Sequence, residues 1–113
     1  MPDLRDLARA HLELAREDPH GRSAHLVAHD GELRQTVIAL RAGASLGEHN
    51  SPPAATLQVL RGRVRVLTGD RLLGEIGEGE LWVLTHERHS VAAPEDAVFL
   101  LTTVTSVGTT AHE

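Results

Sequence analysis

After Gly21 the sequence is a succession of short apolar and β-branched segments, each followed by a turn signal. Pairs such as Asp30-Gly31, Pro52-Pro53 and Gly69-Asp70 are typical of turns. Seven or eight short strands at this spacing predict a β-sandwich or β-barrel. The lack of a second segment long enough for a helical crossover argues against a parallel doubly wound sheet. The candidate strands are residues 24–28, 33–41, 55–60, 63–68, 71–76, 80–85, 89–93 and 97–105.

The N-terminal segment, residues 3–17, has the apolar spacing of an amphipathic helix. Asp3 can cap it, Asp6 favours the positive end of the helix dipole, and Pro19 and Gly21 end it. Its predicted apolar face contains Leu4, Leu7, Ala8 and Ala15. We expect the helix to pack on the barrel or on a partner subunit. The predicted division is a helix and linker, a barrel domain and a flexible tail, at residues 1–21, 22–106 and 107–113.

Two strands carry information about their surroundings. Segment 97–104 is apolar on both faces, so both faces need cover, from the barrel interior on one side and from the helix or a second subunit on the other. This pattern, with the amphipathic helix, predicts a homodimer. In the strand 63–68, Arg63 and Arg65 alternate with Val64 and Val66, which predicts an exposed basic face over a buried apolar one.

Composition limits the function. The chain has 113 residues, a net charge of −5 and no cysteine, so disulfides and thiolate zinc sites are excluded. Its aromatic residues are only Trp82 and Phe99, and its charge is acidic, which argues against a nucleic-acid surface. No apolar run is long enough to predict a membrane span or signal peptide. Together with the lack of cysteine, this predicts a cytoplasmic protein.

Residues 33–105 resemble the cupin superfamily. Gly43, His49 and Gly62 match its first motif, with the string LQVLRGRVRV similar to the strand–turn–strand that follows, and Gly79 and His89 match its second. The resemblance implies an all-β fold: a cupin-type, jelly-roll-like β-barrel with one pocket, here preceded by a short N-terminal helix.

The resemblance also implies a possible metal site. Metal-bearing cupins use two histidines and a glutamate from the first motif and one histidine from the second. His49 and His89 are present here, but Ser51 and an alanine occupy the positions of the other two ligands. Two imidazoles alone bind a divalent metal ion weakly, since complete sites use three or four protein ligands. Other side chains that could complete a ligand set are Glu48, Gln58, His86 and Glu87.

Three functions stay open at this point. The favoured one is binding of a small molecule in the barrel pocket. A metal-dependent enzyme of dioxygenase or isomerase type, using His49 and His89, is the second, and a dimeric assembly module without a ligand is the third. Trp82 could stack on a ligand or belong to the core. The candidate ligand-binding residues are His49, Ser51, Gln58, Trp82 and His89.

Overall fold

The computed structural model describes residues 1–49 and 52–105, except the side chain of His49. Within these residues, one helix is followed by nine strands. The predicted tail, 107–113, and the last barrel position, 106, lie outside the described residues. The elements are α1 Leu4–Glu17, β1 Arg22–Asp30, β2 Leu33–Leu40, β3 Ser45–His49, β4 Ala54–Arg61, β5 Arg63–Thr68, β6 Arg71–Gly77, β7 Leu81–Val83, β8 His89–Ala92 and β9 Ala97–Val104.

The helix begins and ends where its sequence predicts. The carboxylate of Asp3 accepts hydrogen bonds from the backbone N–H groups of Arg5, at 2.9 Å, and Asp6, at 3.4 Å, which satisfies two of the donors that a helix start leaves unpaired. The buried residues of α1 are Ala8, Leu12 and Ala15. Leu12, absent from the predicted apolar face, is thus part of it. Among the described residues, no helix is long and apolar enough to cross a membrane.

The strands form two sheets that face each other. One has the order β1-β2-β9-β4-β7 and the other β3-β8-β5-β6, and every strand pairing within the described residues is antiparallel. The predicted jelly-roll architecture is confirmed, but the barrel is not closed by hydrogen bonds. The described edge strands of one sheet are not hydrogen-bonded to those of the other, so the fold is a β-sandwich.

A buried core fills the space between the sheets, and a second one lies under the helix. Phe99, Leu57 and Val66 belong to the core between the sheets. Val98 and Leu100 alternate with Phe99 along β9 and pack with α1. The prediction that β9 is covered on both faces is therefore confirmed, and the second cover is the helix of the same chain.

The two ends of the sandwich differ in burial. Leu40 and Ala97 are paired between β2 and β9 on the interior face and are fully buried, whereas at the other end of these strands, on the same face, Arg34 is exposed and its partner Thr103 is half-buried. We call these the closed end and the open end. Ala93 also lies at the closed end, because its carbonyl oxygen accepts a hydrogen bond from Gly43 in the loop that follows β2.

Candidate functional site at the open end

His89 is the buried polar residue of the interior. Its side chain is 3% exposed, and within the described residues no other polar or charged residue is buried. His89 precedes Ala93 by four positions, and strands advance about 3.3 Å per residue, so it lies about 13 Å towards the open end. The imidazole therefore places one polar group at the open end of an apolar interior.

The environment of His89 selects its tautomer. Nδ1 lies 3.1 Å from the backbone carbonyl oxygen of Glu87. Because a carbonyl oxygen only accepts hydrogen bonds, Nδ1 must carry the proton for this bond to form. In the neutral ring Nε2 is then the unprotonated nitrogen, which can accept a hydrogen bond or ligate a metal ion.

His49 lies opposite His89. The two are Cα partners in the antiparallel pairing of β3 with β8, after an irregularity in the register that follows Leu46. Directly opposite residues in such a pair have Cα atoms about 4.5–5.5 Å apart. The structure thus brings the two motif histidine positions together at the open end, although β3 itself was not among the predicted strands. Ser51, the third candidate of this region, lies outside the described residues.

Trp82 belongs to the edge of the interior core. It is paired with Leu57, which points inward, and its half-buried indole ring packs against that core. The ring covers Gly74 on the facing sheet, where an added Cβ atom would lie 3.1 Å from ring atom Cη2. A cavity of about 310 Å³ is lined by Trp82, Gly74 and neighbouring residues of β6 and β7. A stacking contact between Trp82 and a ligand stays a prediction.

Gln58 does not face the interior. Its neighbours in β4, Leu57 and Val59, are fully buried in the core between the sheets, so alternation directs Gln58 to the outer face. Its register partners there are Leu81 and Leu100. The interpretation of Gln58 as a pocket residue is therefore wrong for the interior pocket. Alternation along a strand divides its residues between two faces. The resemblance to cupins did not determine which of the two faces of β4 points to the interior.

The other candidate metal ligands are engaged elsewhere. The carboxylate of Glu48 accepts a hydrogen bond from the backbone N–H of Gly69, and that of Glu87 pairs with Arg71 at 3.0 Å. His86 is exposed. Within the described residues no three His, Cys, Asp or Glu side chains are grouped to hold a metal ion. The described side chains therefore do not fit a complete metal centre of the kind found in metal-bearing cupins.

Two threonines on the interior face were missed by the sequence analysis. Thr36 is paired with Leu101, which packs against the interior core. Thr103 is paired with Ala55, another residue of that core. Register partners share a face of the sheet, so both half-buried threonines lie on the interior side near the open end. The available signal was alternation in sequence, of Thr36 with Ile38 and Leu40 along β2 and of Thr103 with Phe99 and Leu101 along β9.

Comparison with solved structures identifies the fold. A cupin-2 domain containing protein from Shewanella frigidimarina has a TM-score of 0.66 and 13% identity, over 92% of this chain and 94% of that one. KdgF from Halomonas sp. has a TM-score of 0.62 and 20% identity, over 80% and 85%. Salicylate 1,2-dioxygenase from Pseudoaminobacter salicylatoxidans has a TM-score of 0.71 and 15% identity, over 88% of this chain but 32% of that one.

No family model and no curated protein sequence matches the chain. Identities below a quarter establish similarity of fold, and one fold supports many activities. The function must therefore be argued from the residues of the site.

Proposed function

We propose that this small cupin-fold domain binds a small organic molecule at the open end of its sandwich, with His89 as the group that orients the ligand. The observation that carries the proposal is a buried imidazole at the open end of a mostly apolar interior. Binding sites for small molecules combine mostly apolar walls with a few polar groups, as here.

The neighbouring side chains define the chemical class of the ligand. Nδ1 of His89 faces the carbonyl oxygen of Glu87, so Nε2 is the nitrogen that would accept a hydrogen bond from the ligand. The hydroxyl groups of Thr36 and Thr103 can donate or accept, and Leu46 and Leu101 provide apolar contacts at the edge of the core. A partly apolar molecule with at least one hydroxyl or N–H donor fits this set.

A metal-dependent enzyme is the second candidate. It is favoured by the pairing of His49 with His89 across β3 and β8, and by a fold shared with a dioxygenase. These two histidines would hold the ion, and the remaining ligands would come from solvent or substrate. Elemental analysis of protein purified without an affinity tag tests this candidate, and a stoichiometric transition metal would favour it over metal-free binding.

The test of the main proposal uses a variant that changes only the outer nitrogen. In His89→Asn the side-chain amide still donates towards the carbonyl of Glu87, while Nε2 is lost. A library of small hydroxylated and N–H-bearing compounds is screened by ligand-observed NMR against the wild-type protein. We expect the hits to lose binding to His89→Asn and to retain it with His86→Ala, in which an exposed neighbouring histidine is removed. Hits that bind His89→Asn with unchanged affinity would contradict the proposal.

A further inference from the structure

Two cavities adjoin along one side of α1. One, of about 580 Å³, lies between the first half of the helix and Leu60 at the end of β4. The other, of about 450 Å³, lies between Leu12 and the turns that follow β4, β6 and β8. Arg61 and Glu78 line both cavities, so the two form one continuous helix groove. These turns lie at the closed end of the sandwich, so the groove is separate from the site of His89.

The first cavity of the helix groove has an apolar floor. Ala8 is 1% exposed and belongs to the core under the helix, and Leu4 and Leu60 pack against that core while staying partly exposed. An apolar chain lying here would extend an existing hydrophobic core. Burial of apolar surface from water would then favour binding.

The walls of the helix groove are rich in positive charge. The chain has no lysine and 11 arginines, in a protein whose net charge is −5. The groove is lined by five arginines, Arg5, Arg9, Arg16, Arg61 and Arg63, and by three acidic residues, Glu78, Glu95 and Asp96. Cations therefore outnumber carboxylates along the lining, which favours an anion on a protein that is acidic as a whole.

Arg61 differs from the other four arginines. Arg5, Arg9, Arg16 and Arg63 each form an ion pair with a carboxylate of the chain. The guanidinium of Arg61 has neither an ion pair nor a hydrogen bond to the part of the chain that the structure describes. It stands where the two cavities join, and it can therefore receive a carboxylate without giving up an existing partner.

We propose that the helix groove binds a small organic monoanion with a short apolar chain, its carboxylate on Arg61 and its chain over Leu4, Ala8 and Leu60. A cavity of about 580 Å³ is within the range of small-molecule sites, and the planar guanidinium matches a carboxylate by two parallel hydrogen bonds. The carboxylate of Glu78 at the same junction, which accepts from the N–H of Gly62 at 3.4 Å, disfavours ligands of higher negative charge.

The test uses decanoate as the probe, below its micelle-forming concentration, in isothermal titration calorimetry at pH 7.5 and low salt. We expect saturable binding that weakens as salt is added, because screening reduces the attraction between exposed charges. Decanol, which has the same chain without the charge, should bind at least tenfold more weakly. Absence of decanoate binding at millimolar concentration, or equal binding of decanol, would overturn the proposal.

Three variants locate the site. Arg61→Gln should weaken decanoate binding by about tenfold, since a hydrogen bond to a charged group is lost. Glu78→Gln should strengthen it, because it removes the repulsive carboxylate and keeps an acceptor for Gly62. The matched control Arg22→Gln, at an exposed arginine of β1 outside the groove, should leave affinity unchanged. An unchanged affinity in Arg61→Gln would overturn the proposal.

The open end supplies the remaining control. His89→Asn should leave decanoate affinity unchanged, because the helix groove does not include His89. Loss of decanoate binding in His89→Asn together with retention in Arg61→Gln would place the anion at the open end and overturn the groove site. The decanoate experiments do not depend on the NMR screen of the open end. If that screen finds no ligand that depends on His89, the test of the helix groove still stands.

Discussion

An ideal Cβ atom on Gly62 would lie 2.2 Å from the backbone carbonyl oxygen of Asp96. The turn between β4 and β5 thus passes directly against the turn that precedes β9. Gly62 also has a φ of 74°, a left-handed conformation that side chains with a Cβ rarely adopt. Both facts explain why position 62, which follows the string LQVLR, is a glycine. The resemblance to cupins also matches Gly62 to a glycine of the first motif. The contact also fixes the closed end, because β5 and β9 belong to opposite sheets.

Gly62→Ala should therefore destabilise the fold strongly. The left-handed conformation alone costs about 1–2 kcal/mol for a residue with a Cβ, and the clash with a backbone atom forces a further shift of the turn. We expect a loss of about 3 kcal/mol or more in the free energy of unfolding, measured by urea denaturation. The control is Gly69→Ala, where φ is 57° but no atom lies within 4 Å of the added Cβ, so only the conformational cost applies. Equal losses in the two variants would contradict the role of the contact with Asp96.

We expect the contact between α1 and β1 to depend on pH through His11. Nδ1 of His11 lies 2.7 Å from Oγ of Ser23, and its ring is stacked on that of His25 with 5.3 Å between centroids. Desolvation first, and the charge of His25 second, lower the pKa of His11 below its ordinary value of 6.5. A lowered folded-state pKa gives stability that is present above about pH 6.5 and is lost as the pH falls below it.

We therefore expect the urea midpoint of the wild-type protein to fall between pH 7.5 and pH 5.5. His11→Gln should reduce that fall, because glutamine does not titrate, whereas His29→Gln, at an exposed histidine of β1, should not. Titration of the His11 ring by NMR checks the cause directly. A measured pKa of 6.5 or higher would show that the docked helix does not resist protonation of His11.

The basic face of β5 should contribute little to stability. Arg63 pairs with Glu75 and Glu95, and Arg65 pairs with Glu75, all at 3.0–3.4 Å and with side chains at least one-third exposed. Exposed ion pairs of this kind contribute about 0–1 kcal/mol. We expect Arg65→Gln to change the free energy of unfolding by less than about 0.5 kcal/mol.

The inward neighbour provides the contrast. Val64 is fully buried, and Val64→Ala should cost more than 1 kcal/mol because it leaves a small cavity in the core. Denaturation of both variants under the same conditions tests the register of β5. A larger loss for Arg65→Gln than for Val64→Ala would show that the predicted faces are reversed.

Patterns with strong local signals were predictable from the sequence. The N-cap at Asp3 and the helix that follows are determined by residues close together in the sequence. The apolar residues on both faces of segment 97–104 can likewise be recognised within that segment alone. Strand β3 was missed because its sequence, SLGEH, has one large apolar residue and an internal glycine. Its existence depends on pairing with β8, which is remote in sequence.

The sequence predicted where the two histidine positions meet, but it did not predict which other side chains face the interior near them. The resemblance placed His49 and His89 together, and the backbone register agrees. The face on which Gln58 lies, and the inward position of Thr36, depend on the registers of β4 and β2 with β9. Those registers are set by the packing of two sheets and a helix, which no short motif encodes.

An exposed apolar surface remains on the outer face of the five-stranded sheet beyond the helix. Leu81 and Val83 of β7 are 61% and 67% exposed, and Leu33 and Val104 on the same face are 39% and 41% exposed. Apolar side chains that stay exposed on one face of a sheet can belong to an interface between protein chains. The helix covers only part of this sheet, so the expectation of a homodimer now depends on the uncovered part.

We expect sedimentation at micromolar concentration to give a mass twice the 12.2 kDa of the chain. Val83→Lys should shift the protein to the monomer, because it places a charge in an apolar interface. The matched control is Leu72→Lys, a substitution at a residue of the other sheet that is 52% exposed, and it should leave the dimer intact. A wild-type protein that sediments as a monomer would contradict the homodimer. A dimer lost in Leu72→Lys and kept in Val83→Lys would move the interface to the four-stranded sheet.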